Sequence, residues 1–157
     1  MPELAFRSAK QLASLIRRKK IGCLELLDYH LARVKRFNPE LNAIVTLAED
    51  SAHERARQAD QALAKGERWG PLHGVPMTIK EAFNVIGMPT TWGIPDYKNN
   101  RPQTNALAVE RLLNAGVVLF GKTNVPLNLS DWQTFNEIYG TTNNPVSYTH
   151  LRAHETP

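Results

Sequence analysis

Gly116-Val117-Val118-Leu119-Phe120-Gly121-Lys122-Thr123 satisfies G-x-x-x-x-G-K-[ST], the pattern of a phosphate-binding loop, yet its four variable positions form an unbroken apolar run. A phosphate loop has to follow a strand and open directly into a helix whose free N–H groups face the anion. Here a helical pattern precedes the first glycine and Val125-Pro126 follows the threonine. The segment therefore reads as a buried strand entered from a helix, and not as a nucleotide site. Working toward the N-terminus, Thr104 stands where it would cap that helix, Leu107, Leu112 and Leu113 mark its apolar side, and Gly116 ends it. Working toward the C-terminus, Lys122 reads as structural, anchoring the turn while Thr123 and Asn124 bond backbone groups.

The helix-then-strand texture repeats upstream. Ser8 with Gln11 forms a capping-box pattern, and Leu12, Leu15 and Ile16 recur at helical spacing, which predicts a helix over 9–19. Gly22 breaks it. A second helix is expected over Cys23–Phe37, with Leu24, Leu27, Leu31 and Val34 on one stripe and Pro39 as its stop. Ala43-Ile44-Val45-Thr46-Leu47 reads as a strand. Asp50 or Ser51 caps a third helix whose narrow face is Ala52, Ala56, Ala59 and Leu63, with Gly66 in the C′ position. Turn formers crowd Gly70-Pro71-Leu72-His73-Gly74-Val75-Pro76, and Met77-Thr78-Ile79-Lys80 is a short strand ending in a cation. Helices alternating with short β-branched strands predict an α/β fold with a mixed, largely parallel sheet flanked by helices. No internal repeat or low-complexity segment is visible.

Composition bounds the function classes. The chain has 157 residues, a net charge of +4 and one cysteine. A lone Cys23 forms no internal disulfide and no four-cysteine zinc site, and with no cationic neighbour in sequence it reads as a packed, inert thiol. No apolar run approaches the roughly 18 residues of a membrane span, and the N-terminal residues contain no secretory apolar core. These features predict a cytoplasmic protein with no membrane and no nucleic-acid partner. The densest basic run, Arg17-Arg18-Lys19-Lys20, falls at a helix C-terminus, where cations meet the negative end of the dipole. His150 and His154 stand four apart but lack the acidic residue and third ligand of a metal site, so they read as a coincidental pair. Asn128-Leu129-Ser130 fits the glycosylation sequon, which carries no weight without a secretion signal.

The chemically informative stretch is Gly74-Val75-Pro76-Met77-Thr78-Ile79-Lys80-Glu81. A lysine closing an apolar strand lies where active-site clefts form in α/β sheets. An ion pair between Lys80 and Glu81 or another surface carboxylate explains the same residues equally well. His73-Gly74-Val75-Pro76 leading to Lys80, then Gly87-Met88-Pro89-Thr90-Thr91, Gly121-Lys122-Thr123-Asn124, and Gly140-Thr141-Thr142-Asn143-Asn144-Pro145 follow in order. These four blocks resemble the N-terminal part of the amidase signature family over roughly residues 8–145. The resemblance implies the N-terminal part of that fold, hydrolysis of carboxamide C–N bonds, and a Ser-cisSer-Lys triad in which Lys80 is the catalytic base toward a bridging serine. It implies a small-molecule amide substrate, no cofactor and no metal, and leaves a homodimer open for a full-length protein. A lysine acts as base only when neutral, which burial among apolar neighbours such as Val75, Met77 and Ile79 would favour. Trp132, Phe135 and Tyr139 could line the pocket of such an enzyme, but packing against the sheet is the expected role.

The pattern departs from the family after Pro145. Family members continue into a serine- and glycine-rich stretch that supplies the bridging serine, the nucleophile and the oxyanion donors. Residues 146–157 have no such character and resemble the translated adapter-like ends of truncated metagenomic reading frames, so they are expected to be a non-native tail. The domain expectation is therefore 1–145 as the N-terminal portion of an amidase, helical to about 66 and α/β from about 70. Ser8, Ser14, Ser51, Ser130 and Ser147 are the only serines and none has the family's catalytic context. The chain is thus expected to carry only the lysine and to be inactive alone. Two other readings stand beside it: the glutaminase subunit of a tRNA-dependent amidotransferase, and a non-catalytic interaction module.

Overall fold

The computed structural model describes residues 4–145. Helix α1 (Ala9–Arg17) opens with the expected capping box, the Ser8 hydroxyl accepting the Gln11 N–H while the Gln11 side chain accepts the Ser8 N–H. It buries Leu12, Ala13 and Ile16. Helix α2 (Cys23–Leu41) has no capping side chain of its own at Gly22. Asp60, one helix later, supplies the cap by accepting the N–H groups of Cys23 (2.7 Å) and Leu24 (3.0 Å). This helix runs past Phe37 and through Pro39, the residue expected to stop it. Pro39 lies on an exposed face. The real stop is Asn38, whose side-chain oxygen accepts the N–H groups of Ala43 and Ile44, followed by Asn42 in the left-handed conformation.

Strand β1 (Ile44–Leu47) leads into α3 (Glu49–Ala64) with Ala48 as the N-cap, in place of Asp50 or Ser51. The Ala48 N–H donates to the Phe120 carbonyl, so strand pairing runs straight into the helix. The Ser51 hydroxyl donates back to Ala48, and Glu49 and Asp50 put negative charge in the first turn. Ala52, Ala56, Ala59 and Ala62 are buried, which lets α3 approach its neighbours closely. Helix α4 (Leu107–Asn114) starts after Ala106 and not at Thr104. The adjacent Asn105 side chain is spent on the Ile86 N–H, tying the helix entry to the preceding loop. At its far end Gly116 takes φ +95, as the C′ position requires, and Arg55 of α3 donates to the carbonyls of Leu113 and Val117.

Strand β3 (Val118–Thr123) is the centre of the sheet, with β2 (Pro76–Lys80) parallel on one side and β1 antiparallel on the other. The Gly116–Thr123 segment thus runs from a turn into a mostly buried strand, and it is followed by a single 3-10 turn, Leu127–Leu129, not by an anion-binding helix. A short hairpin, β4 (Phe135–Asn136) with β5 (Gly140–Thr141), forms a second, two-stranded sheet. Leu12, Ile16, Leu26, Leu27, Ala56, Val75, Val118 and Phe120 form one core layer with α1–α3. Ile79, Val85, Met88 and Val109, with Leu119, form a second on the α4 side. Among the described residues no helix is long and apolar enough to cross a membrane. His150, His154 and the segment 146–157 lie outside the described residues.

Gly74 is where the packing of α2 against β2 demands glycine. It takes φ +74, and a Cβ there would stand 2.2 Å from the Cys23 sulfur. Gly74→Ala is expected to cost on the order of 3 kcal/mol or more, from backbone strain plus overlap. Urea unfolding checks this, and a loss under about 1 kcal/mol would contradict the packing.

Candidate active site

Lys80 is delivered by the end of β2. Its strand neighbour Ile79 is buried, and alternation turns Lys80 to the opposite face, where its side chain is exposed. Among the described residues the Lys80 ammonium has no hydrogen-bond or ion-pair partner, and no apolar enclosure forms around it. The burial suggested by Val75, Met77 and Ile79 is thus not realised here, because Val75 and Ile79 are spent on the two core layers. The ion pair with Glu81 is not formed either.

Glu81 is wholly buried. Its N–H extends the β2–β3 pairing to the Thr123 carbonyl (2.9 Å). Its carboxylate accepts the N–H groups of Thr91 (2.5 Å) and Trp92 (3.0 Å) and the Tyr139 hydroxyl (3.1 Å). Lys122 is equally buried. It donates to the Pro89 carbonyl and to the Thr90 hydroxyl (2.8 Å), so it anchors a distant loop and not its own turn. The register irregularity between Met77 and Thr78 sets Lys122 level with Ile79. Two buried charges of opposite sign, one on β3 and one directly after β2, thereby hold residues 89–92 of the loop that follows β2.

Asn124 does bond backbone groups, accepting the Val125 N–H and donating to the Gly140 carbonyl and Thr142 hydroxyl. Asn136 donates to Asn124 and Val125 and accepts the N–H groups of Ile138 and Tyr139. This network seats Tyr139 against Glu81. Burial, with smaller contributions from Glu81, raises the Tyr139 phenol above its ordinary value. Trp132 does not pack on the sheet, being 99% exposed, and Phe135 is about half exposed. Of the serines, Ser8, Ser51 and Ser130 bond backbone within their own turns and Ser14 accepts from Arg17, while Ser147 lies outside the described residues. Cys23 is buried, and burial followed by the Asp60 carboxylate pushes its thiol up to about 12, in keeping with an inert group.

Burial lowers the Lys122 ammonium from 10.5 to about 8, against the opposing pull of Glu81. Between those values the unfolded chain holds more protons than the folded one, so stability rises with pH there, and the full cost of the buried charge is present below pH 8. Cys23 acts oppositely from its ordinary 9.0 upward, where the unfolded thiol ionises first. The apparent Tm is therefore expected to climb between about pH 8 and pH 9, and Lys122→Met should remove the climb. A wild-type Tm that falls across that interval would contradict the assignment.

Residues 25–152 match the Amidase family. The chain is 37% identical over 145 residues to a glutamyl-tRNA(Gln) amidotransferase subunit of Acidothermus cellulolyticus, covering 92% of this chain and 29% of that protein. It is 35% identical over 156 residues to human fatty-acid amide hydrolase 2, covering 94% of this chain and 29% of the relative. A bacterial aryl acylamidase of the amidase signature enzymes superposes with a TM-score of 0.84 at 29% identity, over 89% of this chain and 29% of that structure. The chain thus spans about 29% of the length of the relatives it matches. Sequence, fold and the ordered blocks around Lys80 agree, and the chain belongs to the amidase family.

Proposed function

We propose that these residues are the lysine-bearing portion of an enzyme that hydrolyses small-molecule carboxamides by a Ser-cisSer-Lys mechanism, with Lys80 as the base. The observation that carries this reading is the setting of Lys80. Its backbone is fixed at a paired strand end by Ile79 and Glu81, while its amine stands unengaged on the open face. In the proposed reaction neutral Lys80 takes the proton of a bridging serine, which takes that of the nucleophilic serine. The serine oxygen then bonds to the amide carbon, the C–N bond breaks as the leaving amine gains the proton, and water releases the acyl group. Among the described residues every serine is engaged within its own turn or helix, and none stands where the mechanism needs a bridging or nucleophilic serine. That supports the expectation that these residues alone are inactive. Amide hydrolysis by the purified 157-residue chain should equal buffer, and turnover that disappears in Lys80→Ala would overturn the inactivity claim.

A reducing, cytoplasmic setting fits the lone buried Cys23. The exposed Trp132, Leu107 and Ile86 fit a surface that further protein covers, and weigh against a self-sufficient interaction module. A sharp two-state thermal melt is the result that module reading requires. The 37% identity to an amidotransferase component supports a second reading, a glutaminase working with partner subunits, for which co-purifying partners are the test. We assign residues 146–157 to a non-native tail on their lack of Gly-Ser character, and resequencing the source DNA across the Pro145 codon decides it.

A further inference from the structure

The loop after Lys80 is held in a conformation that the chain would not adopt unaided. Lys122 fixes Pro89 and Thr90, and Glu81 fixes the N–H groups of Thr91 and Trp92. Trp92 is thereby kept at φ +55, a left-handed backbone that bulky residues seldom take. Its indole N–H donates to the Ala82 carbonyl (3.0 Å), which fixes the ring as well. Strain kept in place by buried charges is a pattern found at binding sites.

Trp92 (43% exposed) and Tyr97 (50% exposed) bound a cleft of ≈ 170 Å³ together with Asn84, Thr90 and Asn100. No charged side chain lines it. The volume is below the roughly 300 Å³ of a drug-sized site and suits one ring with one polar substituent. The Thr90 hydroxyl is already committed, accepting from Lys122 and donating to Phe83. Asn100 spends its NH₂ on the Thr90 carbonyl (2.7 Å) and keeps its oxygen. The Asn84 carboxamide makes no hydrogen bond among the described residues, so it offers a donor and an acceptor side by side. We infer that this cleft is a subsite for an uncharged aromatic carboxamide, its ring held by Trp92 and Tyr97 and its amide paired with Asn84. The inference rests on the amide-hydrolase reading only for the ligand's being part of a substrate.

The test is a titration of the 157-residue chain with benzamide, followed by NMR at the Trp92 indole and the Asn84 and Asn100 side chains. Cyclohexanecarboxamide and benzoate serve as comparators. Saturable shifts at those three residues are expected, with Trp132 unmoved. Binding should weaken about three- to tenfold for the non-planar ring and for Trp92→Leu. Benzoate should bind more weakly than benzamide. Asn84→Ala, at an exposed site, is the second variant should Trp92→Leu fail to fold, and it should weaken benzamide without changing the spectrum elsewhere. No saturable shift up to the solubility limit, equal affinity for all three probes, or unchanged binding in Asn84→Ala overturns the subsite. None of these outcomes reads hydrolysis, so failure here is separate from failure of Lys80 as base.

Discussion

Glu81→Ala is expected to cost about 3 kcal/mol, because it leaves one buried and two part-buried donors without an acceptor and removes the charge that opposes Lys122. The donors are the N–H groups of Thr91 and Trp92 and the Tyr139 hydroxyl. Hydrogen exchange at the Thr91 and Trp92 amides reads the effect locally, where about 3 kcal/mol is a loss of protection of more than about a hundredfold. Glu81→Gln should fall between the two, since its amide oxygen can still accept one N–H while its NH₂ opposes the other. Protection at Trp92 that is unchanged in Glu81→Ala would show that the carboxylate does not hold this loop. The strained φ of Trp92 makes the loop sensitive, because release of the clamp lets the residue leave the left-handed region.

Much of the fold is legible where a residue's local chemistry is also its tertiary role. The Ser8–Gln11 box, the glycines ending α3 and α4, and the apolar run Val117–Phe120 all appear as expected, because capping, C′ conformation and β-branching act over a few residues. The failures share a cause, namely partners distant in sequence. Asp60 caps α2 from another helix, and Asn105 ties the entry of α4 to the Ile86 N–H. Pro39 stays within α2, and the helix ends where the Asn38 side chain accepts from Ala43 and Ile44.

At the site, Lys80 is legible as the residue closing β2, whereas the sequence suggests Glu81 only as its ion-pair partner. Alternation from Ile79 points Glu81 inward, which is the signal available for its burial. Lys122 has no such signal, since its face depends on a register irregularity set between two strands. Trp132 gives a misleading one. Its size suggests a core position, yet it stands 99% exposed among the described residues.

The proposed role of Lys80 makes a large kinetic prediction with almost no structural one. Its side chain is exposed and unpaired among the described residues, so Lys80→Ala should change stability by less than about 0.5 kcal/mol. Removing a general base should lower turnover by about 10²–10⁴-fold in a protein that carries the serines as well. Lys80→Arg should be equally poor, because a guanidinium stays protonated and cannot take a proton.

The decisive measurement is kcat/KM for carboxamide hydrolysis by a protein that carries these residues together with the proposed catalytic serines, wild type against Lys80→Ala. A fall of at least about a hundredfold with an unchanged melting curve is the predicted result. Full hydrolysis by the Lys80→Ala protein would contradict the assignment of Lys80 as the base.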